Sequence, residues 1–551
     1  SNVSIPQGGI IALRSGVGEV INSHFSATFN NSTISAFALA GAESDKLSDT
    51  KSLTENIQLT FNNSTVSGGT TTDSNSVLNL NLNNSNWTTK AFTDEDGVVQ
   101  TTSLTNLALN NGVVNLANDN YQGIIVRGNL TGSGTFNLNT NIAENKSDKI
   151  VVKGTAEGNH KIGVTNQGAN IANGKVTLVE TNGGNAAFSL TNPNNRVDLG
   201  AYQYFLTKEG NNWVLANSKN AVTPTPPVAT VTPSKPVVTP SKPVVTPNKP
   251  VVTPTAPVLP STPLLSDLAN AQVSLRQAQL LLVEDDLSGI HQRLGEVKNG
   301  EKGNVWVRNV NSGQKLAALS TGESETSGFK QNVHSLQVGA DAAVIDNLRV
   351  GGFVGRSQAN VDFNGDYGDG KVRSNSVGLY AAYLADNGIY VDNIVKYSRL
   401  HANSDLTEKR HYNAYTISSE LGKRFSLAND WTITPQAQLA WTHISSQENE
   451  DSLSSVYSRI GLRVAKGFAL SNGWNLQPYA EVNAITSKNR SSKIHYANSA
   501  LDVASSRGRF ESAVGLNAGF ANHRFGLEVS RADGKNFDKP YAIQAVYRYQ
   551  W

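Results

Sequence analysis

Alternation decides what the C-terminal half of this chain can become. Ala437, Leu439 and Trp441 interleave with Gln436, Gln438, Ala440 and Thr442, and Ile460, Leu462 and Val464 with Arg459, Gly461 and Arg463. Val482 and Ala484 interleave with Tyr479, Glu481 and Asn483, while Val514, Leu516 and Phe520 interleave with Glu511, Gly515, Asn517 and Gly519. Successive side chains of a strand point to opposite faces, so one face is apolar and aromatic and the other polar. A soluble sandwich also alternates, but its strands are shorter and its polar face meets bulk water. These segments run about 10–14 residues, the length a tilted strand needs to cross a membrane. No run of eighteen apolar residues exists, which excludes a spanning helix. A closed barrel satisfies the backbone as well as a helix does.

Twelve strands are predicted, near 303–310, 329–344, 347–359, 371–385, 388–400, 411–426, 430–444, 453–468, 473–486, 506–520, 522–532 and 540–551. An even count lets the barrel begin and end on one side. In the last strand Ile543, Ala545, Tyr547, Tyr549 and Trp551 share a face, with Gln544, Arg548 and Gln550 on the other. A terminal exposed aromatic suits the aromatic girdle of a membrane barrel better than a soluble surface. The polar face nominates Arg308, Arg459, Arg463, Glu481, Glu511 and Arg548 as residues lining a wet lumen.

Ahead of the barrel, residues 264–300 read as a helix. Thr262 can cap it with Pro263 at its first position. Leu264, Leu265, Leu268, Val273, Leu275, Leu280 and Leu281 lie among Gln, Ser, Arg and Asn through about Lys298. Gly289 and Gly295 weaken its middle and end, and Gly300 is the expected stop. Residues 221–263 form a linker: thirteen of the eighteen prolines fall between Pro224 and Pro263, around a Ser-Lys-Pro-Val-Val-Thr-Pro repeat. Proline at that density forbids helix and central strand, leaving an extended spacer of roughly 120 Å at ~3.1 Å per residue. Without aromatic or arginine specificity residues it reads as a spacer, not as a ligand for a proline-binding domain.

In residues 1–120 a phrase recurs as Ala27-Thr-Phe-Asn-Asn-Ser, Leu59-Thr-Phe-Asn-Asn-Ser, Leu80-Asn-Leu-Asn-Asn-Ser and Leu107-Ala-Leu-Asn-Asn-Gly. The first Asn of each pair falls at 30, 62, 83 and 110, giving offsets of 32, 21 and 27. Each phrase joins a short half-buried strand to a turn in which Asn tolerates left-handed backbone angles. Such repeats are the mark of stacked solenoid coils with loops of varying length, and the Asn residues are expected to form a structural ladder. Residues 121–220 carry longer strands and are expected to cap the solenoid edge.

The order Leu130-Thr-Gly-Ser-Gly-Thr-Phe136, Asp148-Lys-Ile-Val-Val-Lys-Gly154, Leu178-Val-Glu-Thr181, Asp198-Leu-Gly-Ala-Tyr-Gln-Tyr204 and Trp213-Val-Leu215 resembles the final passenger segment of pertactin-like, or AIDA-like, autotransporters of type V secretion. Trp87, after the third Asn-Asn-Ser, resembles the Ser-x-Trp phrase of adhesin passengers. Trp306-Val-Arg308, Pro435-Gln-Ala-Gln-Leu439, Arg459-Ile-Gly-Leu-Arg463, Gln477-Pro-Tyr-Ala-Glu481 and Tyr547-Arg-Tyr-Gln-Trp551 stand in the order of the family's β-domain. The resemblance spans about residues 80–551. It implies an all-β chain: a right-handed parallel β-helix with an autochaperone-like cap at 121–220, joined by the linker and a pore-plugging helix at 264–300 to a twelve-stranded barrel at 301–551. It also implies a barrel in the outer membrane with its passenger at the cell surface. Tyr547, Tyr549 and Trp551 would then be read by the barrel-assembly machinery. Outer-membrane lipid and periplasmic chaperones would be further partners, and the barrel would be monomeric.

Catalytic motifs are absent: no Gly-Asp-Ser-Gly, Gly-x-Ser-x-Gly, His-Glu-x-x-His or phosphate loop occurs. Residues 1–220 hold only His24 and His160, both expected at the surface, and Asp94-Glu95-Asp96 reads as a solvated turn, not a calcium site. No enzyme activity, cofactor or metal is expected. Net charge is +2, with no basic cluster for nucleic acid. In the serine-protease branch of the family an Asn-Asn pair is cut within the helix. Aligning Arg293-Leu-Gly-Glu296 places Ser288 and Gly289 there, so that self-cleavage is not expected.

Cys 0 fits a passenger that crosses a narrow pore unfolded, cap folding outside then drawing the chain outward. Met 0 leads us to expect that Ser1 follows a removed signal peptide or lies within a longer polypeptide. The expected function is a self-translocating surface protein with an adhesin passenger of unknown receptor. The alternative is a carrier for an exported protease or esterase encoded upstream. A general porin fits poorly, because the helix would block it.

Overall fold

The structure, a computed structural model, describes residues 2–5, 21–48, 51–93, 98–116, 121–223, 258–296 and 298–551. Most of the proline-rich spacer and the Asp94-Glu95-Asp96 turn lie outside the described residues. The chain divides into two compact units, Ser1–Leu264 and Leu265–Trp551.

The first unit is a parallel β-helix. Ile21–Asn30, Lys51–Asn62, Val77–Asn83 and Asn106–Asn115 stack in parallel, with Asn30, Asn62, Asn83 and Asn110 in register. The irregular offsets in sequence therefore become a single column in space. The second Asn of each pair, at 31, 63, 84 and 111, has φ of 50°, 49°, 46° and 56°, the left-handed turn that Asn adopts at low cost. Asn62 Nδ2 donates to Asn30 Oδ1 (2.7 Å) and Asn83 Nδ2 to Asn62 Oδ1 (2.8 Å). Beside them the Ser32 amide donates to Ser64 Oγ (3.0 Å) and the Ser64 amide to Ser85 Oγ (2.9 Å). Leu59, Leu80 and Leu107 stack inside, each burial stabilising the coil by about 1.5–3 kcal/mol. Trp87 is fully buried and donates from Nε1 to the Gly68 carbonyl (2.9 Å).

Parallel pairing continues past residue 121, through Leu130–Asn141, Asn159–Asn166 and Ala187–Leu190. The second sheet ends differently. Lys175–Thr181 receives Asn212–Ala216 antiparallel, followed by Tyr202–Glu209 and Arg196–Leu199. These turn-backs occupy the edge that a further coil would otherwise use.

One cap residue differs from expectation. His160 is buried, its ring between Phe136 (5.8 Å) and Phe188 (5.2 Å), and Phe188 in turn meets Trp213 (5.6 Å). Strand parity is the reason: His160 shares a face with the buried Ile162. Val151 is half-exposed, because Ile150 and Val152 take the inward positions. His24 is exposed.

His160 donates from Nε2 to the Glu157 carbonyl (3.0 Å), and burial holds its pKa below the usual value. A neutral buried His contributes stability that is full above the unfolded pKa of about 6.5 and is lost as pH falls below it. Asp148 acts oppositely: burial raises its pKa to about 6 despite amide bonds from Gln122 (2.7 Å) and Asn139 (2.6 Å). Its contribution is lost as pH rises from its unfolded value through 6. Comparison with His160→Phe cancels the Asp148 contribution. Hydrogen-exchange protection of 159–166 should fall between pH 7.5 and 5.5 in the parent relative to His160→Phe; equal pH dependence in both would refute the assignment.

The second unit is a closed twelve-stranded barrel. Its strands are Gly303–Leu316, Phe329–Ile345, Leu348–Phe363, Asp369–Leu384, Ile389–Ser404, Arg410–Lys423, Trp431–Ile444, Leu453–Lys466, Trp474–Asn489, Arg509–Phe520, His523–Gly534 and Phe537–Gln550. Neighbours pair antiparallel throughout, and the first strand closes on the last, Asn304 opposite Gln550 and Asn311 opposite Ile543. Most strands are longer than expected, the first running six residues past 310. Outer positions such as Leu439 (58% exposed), Ile460 (70%) and Val514 (62%) are apolar, and their alternates face inward. Tight turns (346–347, 385–388, 521–522) join strands at one end, and loops such as 317–328 and 490–508 at the other.

The single helix expected over 264–300 is two. Helix α1 spans Asp267–Asp285, capped by Ser266, whose Oγ accepts from the Ala269 amide (3.3 Å), and not by Thr262. Helix α2 is the short Ile290–Leu294. At the break, a Cβ on Gly289 would lie 2.5 Å from Glu420 Oε2 and 2.8 Å from Arg459 Nη2. Glycine lets the backbone pass this close without displacing the ends of that pair.

Candidate functional site in the barrel lumen

Helix α1 is buried on nearly every face, including Asn270, Arg276, Gln277 and Glu284. Such a helix needs polar partners all round, and the inner wall supplies them in three levels. Nearest the long loops, Asn270 exchanges hydrogen bonds with Ser327, donating to Oγ (2.9 Å) and accepting from its amide (2.8 Å). Arg276 donates to the Asp451 carbonyl (2.7 Å), stacks on Tyr412 (4.9 Å) and faces Glu450 (3.4 Å).

The middle level holds three consecutive carboxylates at the end of α1. Glu284 accepts from Ser487 and Ser455. Asp285 pairs with Lys539 (2.7 Å) and accepts from Ser312 (3.0 Å). Asp286 accepts from Ser335 and Ser357, each at 2.7 Å, with Lys396 at 4.0 Å. Each carboxylate thus meets a different stretch of wall. Three successive residues can do this because the helix ends there and the chain turns.

Below the break, Arg293 makes a two-pronged contact with Asp392 (2.7 and 2.8 Å) over the Tyr380 ring (4.3 Å), both charged side chains 1% exposed. Glu296 meets Arg424 at 2.7 Å and Arg463 at 3.6 Å. A cavity of about 510 Å³ remains at the tight-turn end, lined by His291, Glu296, Arg424, Tyr479 and Arg548 among others. A smaller one of about 60 Å³ lies near Glu284, Arg308 and Arg459.

The residues nominated from sequence divide between wall and plug. Arg463 reaches Glu296, and Arg548 donates to the Glu296 carbonyl (3.3 Å). Arg308 bonds to Gln544 (2.7 Å) and Gln337 (3.1 Å) of the neighbouring strands. Arg459 bridges Glu420 (2.9 Å) and Glu481 (3.1 Å), and the half-buried Glu511 faces Lys539 (3.7 Å). Sequence reading missed Arg293, Asp392, Lys396 and Asp286. Asp392 and Lys396 share the parity of the buried Tyr390 and Ile394, which was the available signal. Of the terminal aromatics, Tyr547 stacks near Phe525 (5.3 Å) with its hydroxyl against His523, Tyr549 also meets His523, and Trp551 is exposed. The Trp551 carbonyl accepts from the Lys302 amide (3.0 Å), and its ring lies where a Cβ on Gly303 would be (2.4 Å).

Comparison with known proteins agrees with this architecture. Residues 305–530 match the family described as autotransporter beta-domain, and residues 104–217 match pertactin. A probable autotransporter of Escherichia coli, YcgV, is 31% identical over 65% of this chain and 38% of its own length. The pertactin autotransporter of Bordetella bronchiseptica is 31% identical over 65% of this chain and 41% of its own. More distant is serine protease EspP of Escherichia coli, 25% identical over 52% of this chain and 23% of its own. The chain spans about two fifths of the length of the first two. An apolar outer wall and the β-domain match place the barrel in the outer membrane and the β-helix at the cell surface. The chain carries a pertactin-like passenger segment ahead of a plugged autotransporter β-domain.

Proposed function

We propose that the barrel exports the chain's own N-terminal half and then anchors it, with α1 and α2 left in the lumen as a seal, and that the passenger is an adhesin. The observation that supports the adhesin reading is the in-register outer face of the coils. Thr28, Thr60 and Asn81 line up across three strands, with Asn81 Nδ2 donating to Thr60 Oγ1 (3.2 Å). Repeated polar groups at strand spacing suit multivalent contact with a surface. The terminal aromatics Tyr547, Tyr549 and Trp551 serve in this reading as the signal for the barrel-assembly machinery, with periplasmic chaperones keeping the passenger unfolded before export.

Display of the chain on a non-adherent strain tests the proposal. Retained binding to a cell layer or glycan array is expected, and Thr28→Lys with Thr60→Lys should reduce it about tenfold with unchanged display. No binding above an empty vector would refute the adhesin reading. Likeness to EspP supports a second reading, in which the chain carries an exported protease or esterase whose catalytic part lies upstream of residue 1. Peptide or ester hydrolysis by the protein displayed from the full reading frame, without adhesion, would favour it.

A further inference from the structure

The outer wall carries arginines that meet no carboxylate among the described residues. At the long-loop side of the apolar band, Val338, Val354 and Val377 are direct cross-strand neighbours facing outward. One position further along the same face stand Arg356, opposite Asn375, and Arg399, also opposite Asn375. The next position sets Arg373 opposite His401, and His401 opposite His411, their rings 4.4 Å apart. Arg373 is therefore the diagonal neighbour of both Arg356 and Arg399, which flank Asn375 from either side; all three are exposed, close enough for one ligand to bridge them.

Their partners are neutral. Arg373 donates to Gln358 Oε1 (3.3 Å) and Arg399 to Asn413 Oδ1 (2.9 Å). Among the described residues no carboxylate lies within ion-pair distance of any of the three. Arg531 on the eleventh strand also faces outward, but it is paired with Asp533 at 2.7 Å. The nearest carboxylates on the cluster's own face, Asp362 and Asp369, stand opposite each other further out. Like charges grouped beside a low-dielectric band are unfavourable unless an anion meets them. Arginine's planar fork is best matched by phosphate or carboxylate oxygens.

We propose that Arg356, Arg373 and Arg399, with His401 and His411 at the margin, form a binding surface for the phosphates of a glycolipid in the outer leaflet. The acyl chains of that lipid lie along the valine row below. Continuity of the arginines with the lipid-facing valines favours a membrane component over an acidic protein. The proposal depends on the barrel's place in the membrane and not on the passenger's role.

The test is native mass spectrometry of the full chain, refolded in detergent, with three probes. These are a bisphosphorylated acyl disaccharide lipid, its dephosphorylated counterpart, and the phosphorylated lipid with millimolar inorganic phosphate present. Retention of the phosphorylated lipid alone is expected, undisturbed by inorganic phosphate. The variant Arg356→Gln/Arg373→Gln/Arg399→Gln should bind it about tenfold more weakly, and Arg531→Gln should bind as the parent does. Heat-modifiable migration reports whether each variant has folded. Equal retention of the dephosphorylated lipid, displacement by inorganic phosphate, or undiminished binding by the folded triple variant would each overturn the proposal. The first two use the unaltered chain, so they decide even if the variant does not fold.

Discussion

Arg293→Met, in the full chain reconstituted into a planar bilayer, should turn a closed barrel into one that opens repeatedly. Asp392 would be left as a buried carboxylate whose bonds of 2.7 and 2.8 Å are gone. Breaking a buried pair by removing one partner typically costs about 3–5 kcal/mol. Much of that penalty is relieved if the α2 segment moves away and water reaches Asp392. The three carboxylates at the end of α1 keep their own partners, so the lower plug should loosen before the upper one. Arg293→Met/Asp392→Leu should recover most of the closed state, because it removes both charges and refills the space. A single variant as silent as the parent would show that the pair does not hold the seal.

The second large effect concerns export. Phe136→Ala should sharply reduce the passenger at the cell surface while the barrel still inserts. Phe136 is fully buried and begins the ring series through His160 and Phe188 to Trp213. Its truncation is expected to cost about 3–5 kcal/mol, as for other large-to-alanine changes in cores. If folding of this segment draws the chain outward, export loses part of its driving force. Val151→Ala is the control, since that side chain is half-exposed and surface changes usually cost within about 0.5 kcal/mol. Surface antibody labelling measures display, and heat-modifiable migration measures the barrel. Normal display of Phe136→Ala would separate cap stability from export, and loss of the barrel along with display would point to a general folding defect.

The twelve strands were legible because a lipid-facing wall and a polar lumen force strict alternation, and each strand carries that signal independently. Parity also puts Arg308, Arg459, Arg463, Glu481 and Arg548 inside, where they are found buried. Which inner residue meets which part of the plug was not legible. It depends on stagger between strands far apart in sequence, as with Arg293 and Asp392, 99 residues distant. The break between α1 and α2 was misread because Gly289 looks like a weak helix residue, whereas its reason is the approach of Glu420 and Arg459. In the cap, the run Ile150-Val151-Val152 is apolar at every position and hides its own parity. His160 shows its parity only through its neighbour Ile162.

The Asn and Ser ladders of the β-helix bear on how such a passenger changes over generations. Successive Asn-Asn turns are separated by 32, 21 and 27 residues, yet they meet in a single column. The contacts that tie one coil to the next reside in the stacked strands and the turn that ends each of them, so the differences in length fall between the strands. Duplication or loss of a whole coil creates no new kind of junction, and an insertion in a loop leaves the column untouched. Selection can thus lengthen, shorten or redecorate the exposed face by copying errors alone. Each intermediate still stacks, so the exposed surface can drift without passing through an unfolded ancestor.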